Sequence, residues 1–498
     1  MNALFRSQTF LVILLLATLV RLYRVSYPLL DWHSWRQVDT VSVTQEYVNR
    51  GIDLLHPRYH DLSNIPSGKD NSEEGYRMVE FPFLNAGIAW IFTHQDIFDL
   101  VTLSRLVSIV MSIISLIALA TLTKSIWGQK IAELTALTFA LFPFNVYYSR
   151  VALPEPAAVL FATVSITAFH FWLSKKQFRW YLLSLVSLSL GLLIKPFVAF
   201  FGPVYLALLL YHRDWFFWNK QTWLERGSTL VFAPIAFLPF WWWRTWIAQF
   251  PEGIPASNWL FNGDGIRLRP AWFRWLGYER FTKLIWGYIG VVFAYLSLPN
   301  LSKKAQNQSA LIFYAWWISI IAYLIVIAKG NVQHDYYQAI AMPIVALTTA
   351  LGMVRLQTWT AANFALKFPK NKTRAERIGW SISLSVFVLM LLSSWKLVGG
   401  YFNVNHWEYV IAGAAVDHKV PADALVIAPA MGDTAFLFQT GRRGWPIGFE
   451  IDKKIELGAT HYVTTAYDDE ARELEKKYKV VTKNPSYIII DLTQPSQL

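Results

Sequence analysis

The chain has 498 residues, of which 54% are hydrophobic and only 16% charged, against about 25% charged in a typical soluble domain. This excludes a disordered or fibrous chain and argues against an ordinary soluble enzyme. The balance of 45 basic to 33 acidic residues gives a net charge of +12, but the excess sits in short loops between apolar runs, which points to membrane topology and away from nucleic acid.

Crossing the hydrocarbon core takes about 20 mostly apolar residues. Runs that meet or approach this length lie at 8–25, 102–123, 131–147, 154–173, 180–194, 196–211, 228–246, 283–299, 309–328, 336–354 and 379–398. The first is flanked by Val-Arg-Leu-Tyr-Arg and has no small-x-small cleavage site, so it reads as a retained helix. A further apolar stretch, 81–93, enters through Glu80-Phe-Pro and is too short to cross. If it lies on the outer surface and the amino terminus is cytoplasmic, the segments 1–7, 124–130, 175–179, 212–226, 302–307 and 355–377 face the cytoplasm. Together they hold 17 Lys and Arg against three acids, whereas 26–101 holds 5 basic and 11 acidic residues. Basic residues collect on the cytoplasmic side. The expected architecture is therefore an α-helical polytopic membrane protein with about eleven transmembrane helices and outer-surface juxtamembrane helices.

From residue 400 the composition changes: 400–498 holds 10 basic and 13 acidic residues. Val426-Ile-Ala-Pro, Tyr462-Val-Thr-Thr and Tyr487-Ile-Ile-Ile predict short strands, with a charged helix over Asp468–Lys477. The expected organisation is a transmembrane module over 1–399, including a first outer loop at 26–101, and a small extracytoplasmic α/β domain over 400–498.

Ionisable groups near membrane depth point to function by default. The first loop opens Asp31-Trp-His33-Ser-Trp-Arg36-Gln37-Val-Asp39-Thr40 and continues as an amphipathic helix over 38–50 that ends at Gly51. Glu80 precedes the surface helix. Arg150 and Glu155 flank Val-Ala-Leu-Pro between two spans, Lys195-Pro196 separates two others, Arg244 closes the seventh, and His334-Asp335-Tyr336-Tyr337 enters the tenth. Taken singly, each reads better as an anchoring or snorkelling residue. Together they gather acids, cations and phenols on one face of the membrane, where cations bind phosphate and a carboxylate serves as general base.

Cysteine is absent, which removes thiolate chemistry, and there is no GxxxxGK[ST], HExxH or GxSxG motif. No span carries a midplane charge pair, which weakens an ion-coupled transporter.

The Asp-containing first outer loop, the Glu-Phe-Pro surface helix, the Arg-x3-Pro-Glu-Pro turn, the Lys-Pro between spans, the His-x-Tyr-Tyr entry and the outer α/β tail resemble the GT-C glycosyltransferases. The resemblance is to the branch that includes protein O-mannosyltransferases and the lipid A aminoarabinose transferase. It implies transfer of a sugar, usually with inversion, from a polyprenyl-phosphate-linked donor to a glycan, lipid or protein acceptor outside the cytoplasmic (inner) membrane. By this resemblance the acid of the first loop, best matched by Asp31, acts as base or positions the acceptor. Asp39 is a second candidate, because relatives carry an adjacent Asp-Glu pair that this chain lacks. Lys195, His334, Tyr337, Arg150 and Arg244 are the candidates for the donor phosphate. Glu80, His33, Arg36 and Glu155 are candidates for the acceptor or for a metal. Metal dependence varies among relatives, so the cofactor is open, with a divalent metal among the choices. Two rivals remain: a non-enzymatic polyprenyl-lipid carrier or flippase, and a polysaccharide ligase or polymerase.

Overall fold

The computed structural model describes residues 4, 6–71, 74–212, 223–298, 307–367 and 371–496. The expected cytoplasmic segments 302–307 and 212–226 fall largely outside them. The chain divides into two compact units. One comprises Met1–Tyr23, Ser108–Trp242 and Ser257–Gly400; the other comprises Arg24–Val107, Trp243–Ala256 and Tyr401–Leu498.

The first unit is helical. Leu100–Trp127, Glu155–Lys175, Gln308–Val326, Asp335–Leu366 and Lys372–Lys419 contain helices long and apolar enough to cross a membrane, the first and last running on into the second unit. Gln8–Arg21, Phe178–Ile194 and Pro196–Tyr211 are shorter apolar helices. Leu11, Val12, Leu15 and Leu19 of the helix Gln8–Arg21 are exposed, as lipid-facing residues of a membrane helix are. Four expected spans are interrupted, among them 196–211, where a 3-10 helix Pro196–Phe201 precedes the α-helix Gly202–Tyr211. The run 131–147 breaks at Phe142, where Pro143 starts a new helix Pro143–Tyr148, because proline has no N–H for the preceding turn. The run 283–299 is not one helix: a π-helix Arg274–Ile285 ends at Trp286 and a short helix Val291–Leu296 follows. Between them Gly287 adopts φ +51, and a Cβ there would lie 2.5 Å from the carbonyl oxygen of Met390. The tenth run begins as a 3-10 helix, Asp335–Ala341, before Met342–Lys367 continues as α-helix.

The second unit contains the helices Ser34–Arg50 and Phe83–Phe92 and a five-stranded sheet. Ser34–Arg50 begins earlier than expected, from His33 in left-handed conformation, and stops at Gly51 with φ +89. The strands are β1 Leu425–Ile427, β2 Arg443–Trp445, β3 Ala459–Thr464, β4 Tyr478–Lys483 and β5 Ile488–Pro495. Their order is β2-β1-β3-β5-β4. β1 pairs in parallel with β2 and β3, whereas β5 pairs antiparallel with β3 and β4. Side chains alternate between faces along a strand. Ile427, Tyr462 and Ile490 accordingly enter one core with Leu474 of the helix Asp469–Lys477. Val426, Val463 and Ile489 enter another with Ala412 and Val416 of Trp407–Lys419.

The first loop adds to this sheet. The Leu62 N–H donates to the Gly444 carbonyl at 2.8 Å, and the Gly444 N–H donates to the His60 carbonyl at 2.9 Å. Gly444 has φ +152, and a Cβ there would lie 1.8 Å from the Val426 carbonyl oxygen, so only glycine fits between the two neighbours.

Candidate active site

The first-loop candidates lie in the second unit. Asp31 precedes the helix Ser34–Arg50 and its side chain is 0% exposed. Gln37 Nε2 donates to its Oδ1 at 2.7 Å, one turn into that helix. Arg105 Nη2 donates to its Oδ2 at 3.2 Å. The same guanidinium, itself fully buried, donates to the carbonyls of Tyr27 and of Val25, the latter at 3.1 Å. The loop before Asp31 is thus fastened by its carbonyls around a cation that also fixes the carboxylate. A charge taken out of water requires such partners.

Asp39 lies on the same helix and is also buried. Thr434 Oγ1 donates to its Oδ1 at 2.7 Å, and Arg77 pairs with its Oδ2 at 3.0 Å. Arg36 donates to Glu80 at 2.5 Å and to Thr40 Oγ1 at 3.3 Å. His33 meets the Trp32 ring edge-on, with centroids 5.0 Å apart. Arg244 is exposed at the end of the helix Trp223–Ile247.

Further buried titratable groups surround the helix Ser34–Arg50. Glu46 pairs with Arg50 at 3.0 Å and approaches His60 at 3.7 Å and Arg443 at 3.8 Å. Burial raises its pKa against the lowering by Arg443 and Arg50. Burial takes His60 down to about 3, with Arg443 acting in the same sense. Burial pushes Asp61 up to about 7 and overcomes its bonds to Ser63. Asp433 is likewise raised by burial, with Asp39 contributing.

The phosphate candidates Lys195, His334, Tyr337 and Arg150, together with Glu155, lie in the first unit. The helices Glu155–Lys175 and Phe178–Ile194 form a hairpin that turns at Lys176 in left-handed conformation. Glu155 therefore stands at a helix N-terminus and Lys195 at the adjoining C-terminus, each opposite the favourable end of a helix dipole. They pair at 3.1 Å, both largely buried. Lys195 Nζ also lies 5.5 Å from the centre of the Tyr337 ring. Tyr337 meets His334 edge-on at 5.6 Å, and His334 stacks on Tyr336 at 5.2 Å. His334 stands just before the 3-10 helix Asp335–Ala341, in extended conformation, and meets Tyr337 through this ring contact rather than through a shared helical face.

Lys195, Glu155, Tyr337 and His334 are thus one cluster. Arg150 is engaged differently: its Nη1 donates to the Tyr23 carbonyl at 3.1 Å and its guanidinium lies over the Tyr147 ring. Asp335 accepts from Tyr148 at 2.5 Å and lies 4.0 Å from Arg280.

Sequence reasoning missed Arg105, Arg77, Thr434 and Arg280. For Arg105 the signal was available, since it is a lone cation near the start of the apolar run 102–123. Arg77, Thr434 and Arg280 carry no comparable mark. As for a metal, among the described residues no three His, Asp or Glu side chains converge on one point. Asp31, Asp39 and Glu80 each face an arginine. This donor set does not fit a divalent cation, and no step below uses one.

Residues 82–243 match the family model described as dolichyl-phosphate-mannose-protein mannosyltransferase. No curated protein matches the chain in sequence. Among solved structures, apo ArnT from Cupriavidus metallidurans is similar with a TM-score of 0.66 and 14% identity, over 96% of this chain and 97% of that one. The same protein bound to undecaprenyl phosphate gives 0.63 at 11% identity, over the same shares. The apo oligosaccharyltransferase of Archaeoglobus fulgidus gives 0.54 at 12% identity, over 92% of this chain and 70% of that one. At these identities the likeness is one of fold. The chain is a polytopic membrane protein with the fold of these transferases, and the resemblance to GT-C glycosyltransferases drawn from its motifs is borne out.

Proposed function

We propose that this chain is a membrane glycosyltransferase that moves a sugar from a polyprenyl phosphate to an acceptor outside the cytoplasmic membrane, with inversion. The observation that carries the reading is the fold shared end to end with a protein that binds undecaprenyl phosphate, in a chain whose residues 82–243 match a lipid-phosphate-dependent mannosyltransferase model. The chain crosses the inner membrane about eleven times, with its amino terminus in the cytoplasm and residues 400–498 outside.

Asp31 accepts the proton of an acceptor hydroxyl, which attacks the anomeric carbon. The bond from that carbon to the phosphate oxygen breaks, and polyprenyl phosphate leaves with the electron pair. Gln37 and Arg105 orient Asp31 for this work. Lys195, with His334 and Tyr337, receives the leaving phosphate; its partner Glu155 keeps the ammonium in place until the anion arrives. Fixed charge aimed at a developing anion is the largest single contribution in many such sites. Arg150 and Arg244 are the alternative phosphate ligands.

A density map of the full chain in nanodiscs with polyprenyl phosphate tests this assignment. Phosphate density against Lys195, His334 and Tyr337 is expected. Density against Arg150 or Arg244 would reassign the phosphate ligands, and a saturated sample without bound lipid would overturn the reading.

A further inference from the structure

The second unit holds a cavity of about 530 Å³ that no step above uses. Small-molecule pockets span about 300–1,000 Å³. Its walls come from two stretches far apart in sequence, residues 62–65 with Asp70 and Glu74, and the turn and short helix from Trp445 to Leu457. They meet because residues 60–62 pair with β2.

The turn at its rim is strained. Phe449 and Glu450 adopt successive left-handed conformations, φ 61 and φ 48, which residues with a Cβ rarely adopt. Three bonds hold the turn in this form. The Phe449 N–H donates to the Glu470 carboxylate at 2.7 Å. The Lys454 ammonium donates to the carbonyl of Gly448 at 3.0 Å and to that of Phe449. Held this way, Phe449 stays 73% exposed while Trp445, also lining the cavity, is buried. Backbone strain of this kind gathers at ligand clamps.

The polar lining narrows the occupant. Asp70, Glu74 and Glu450 face the cavity together with Lys453 and Lys454. Lys454 is committed to the turn, and Glu74 pairs with Arg58 at 2.6 Å. Asp70 and Lys453 are 4.0 Å apart and both exposed. An anionic head group would meet more carboxylates than available cations. An acyl chain would desolvate these charges without replacing their bonds. A sugar ring satisfies both parts of the lining. Its hydroxyls donate to carboxylates and accept from Lys453 and from the Asn64 amide, and its C–H face packs on an aromatic ring, whose face is the negative part of the quadrupole.

We infer that this cavity binds a neutral sugar unit of a glycan acceptor, an inference that rests on the glycosyltransferase reading. The full chain in nanodiscs, free of sugar-headed detergent, is mixed at millimolar ligand with chitobiose, cellobiose or mannobiose and followed by saturation-transfer NMR. At least one disaccharide should receive saturation through its ring C–H protons. Phe449→Ala should weaken it about tenfold, the loss of one stacking face, and Glu450→Gln by a similar factor, while binding of polyprenyl phosphate is unchanged. Glu450 is exposed, so its variant decides the matter if Phe449→Ala does not fold. No binding of any of the three, or binding that Glu450→Gln and a folded Phe449→Ala leave unaltered, overturns the inference. Sugar transfer that persists without disaccharide binding removes the cavity and spares the transferase reading. Disaccharide binding that depends on Phe449 and Glu450, without transfer from any donor, keeps the cavity and removes that reading.

Discussion

Replacing Asp31 with asparagine separates the two roles that its surroundings allow. The side chain is fully buried between Gln37 and Arg105, and Arg105 is itself fully buried. Breaking such a pair from one side costs about 3–5 kcal/mol, because the remaining charge is left without its counter-ion. Here the amide still accepts from Gln37, and Arg105 keeps the carbonyls of Val25 and Tyr27, so a loss near the lower end, about 3 kcal/mol, is expected. Loss of a general base lowers turnover by about 10²–10⁴-fold. Thermal melting and turnover are therefore measured on Asp31→Asn, Arg105→Leu and the double variant. Neighbouring partners give non-additive effects, so the double variant should be more stable than the two single losses sum to, yet remain inactive. Turnover restored in the double variant, or a loss of less than about tenfold in Asp31→Asn, would make Asp31 only the counter-ion of Arg105. Asp39→Asn should have the milder effect on turnover.

Lys195→Met should weaken binding of polyprenyl phosphate by about 1.5–3 kcal/mol; because Glu155 loses its partner, the comparison is made in a Glu155→Gln background, and unchanged affinity would move the phosphate elsewhere. A tag at the carboxyl terminus should be accessible from outside and one after Lys303, which lies outside the described residues, from the cytoplasm; an inward-facing tail would show that 81–93 crosses or that a span is miscounted. Asp61, raised to about 7, binds a proton on folding, so its contribution to stability falls as pH rises from its ordinary value through about 7. His60, lowered to about 3, loses one on folding, and its contribution grows as pH rises from about 3 to its ordinary value. The two oppose each other, so Asp61→Asn should make stability of the second unit, followed by hydrogen exchange, rise more steeply with pH by up to about 1.4 kcal/mol per pH unit; parallel profiles would contradict this.

The apolar runs and the stop at Gly51 were legible because they rest on local chemistry. So were β1, β3, β5 and the helix Asp469–Lys477. The interruptions were not. The break before Val291–Leu296 depends on how closely Gly287 approaches Met390, a contact no local pattern encodes. β2 was missed because it is three residues around a glycine, and β4 because it follows a helix with no turn residue and carries lysines. In the candidate site, the acids and cations were visible as residue types out of place in apolar surroundings. Their partners were not: Asp31 finds Arg105, and Asp39 finds Thr434, across 74 and 395 residues. The pairing of Lys195 with Tyr337 follows from where two helices end rather than from sequence spacing.

The measurement that bears most directly on the transferase reading is turnover by the purified full chain in nanodiscs, given a polyprenyl-phosphate-linked sugar and an envelope glycan, lipid or protein acceptor. Wild type is expected to release one polyprenyl phosphate for each sugar transferred, and Asp31→Asn to bind the donor without cleaving it. Movement of intact donor across the bilayer with no cleavage in wild type would contradict it and leave a lipid carrier in its place.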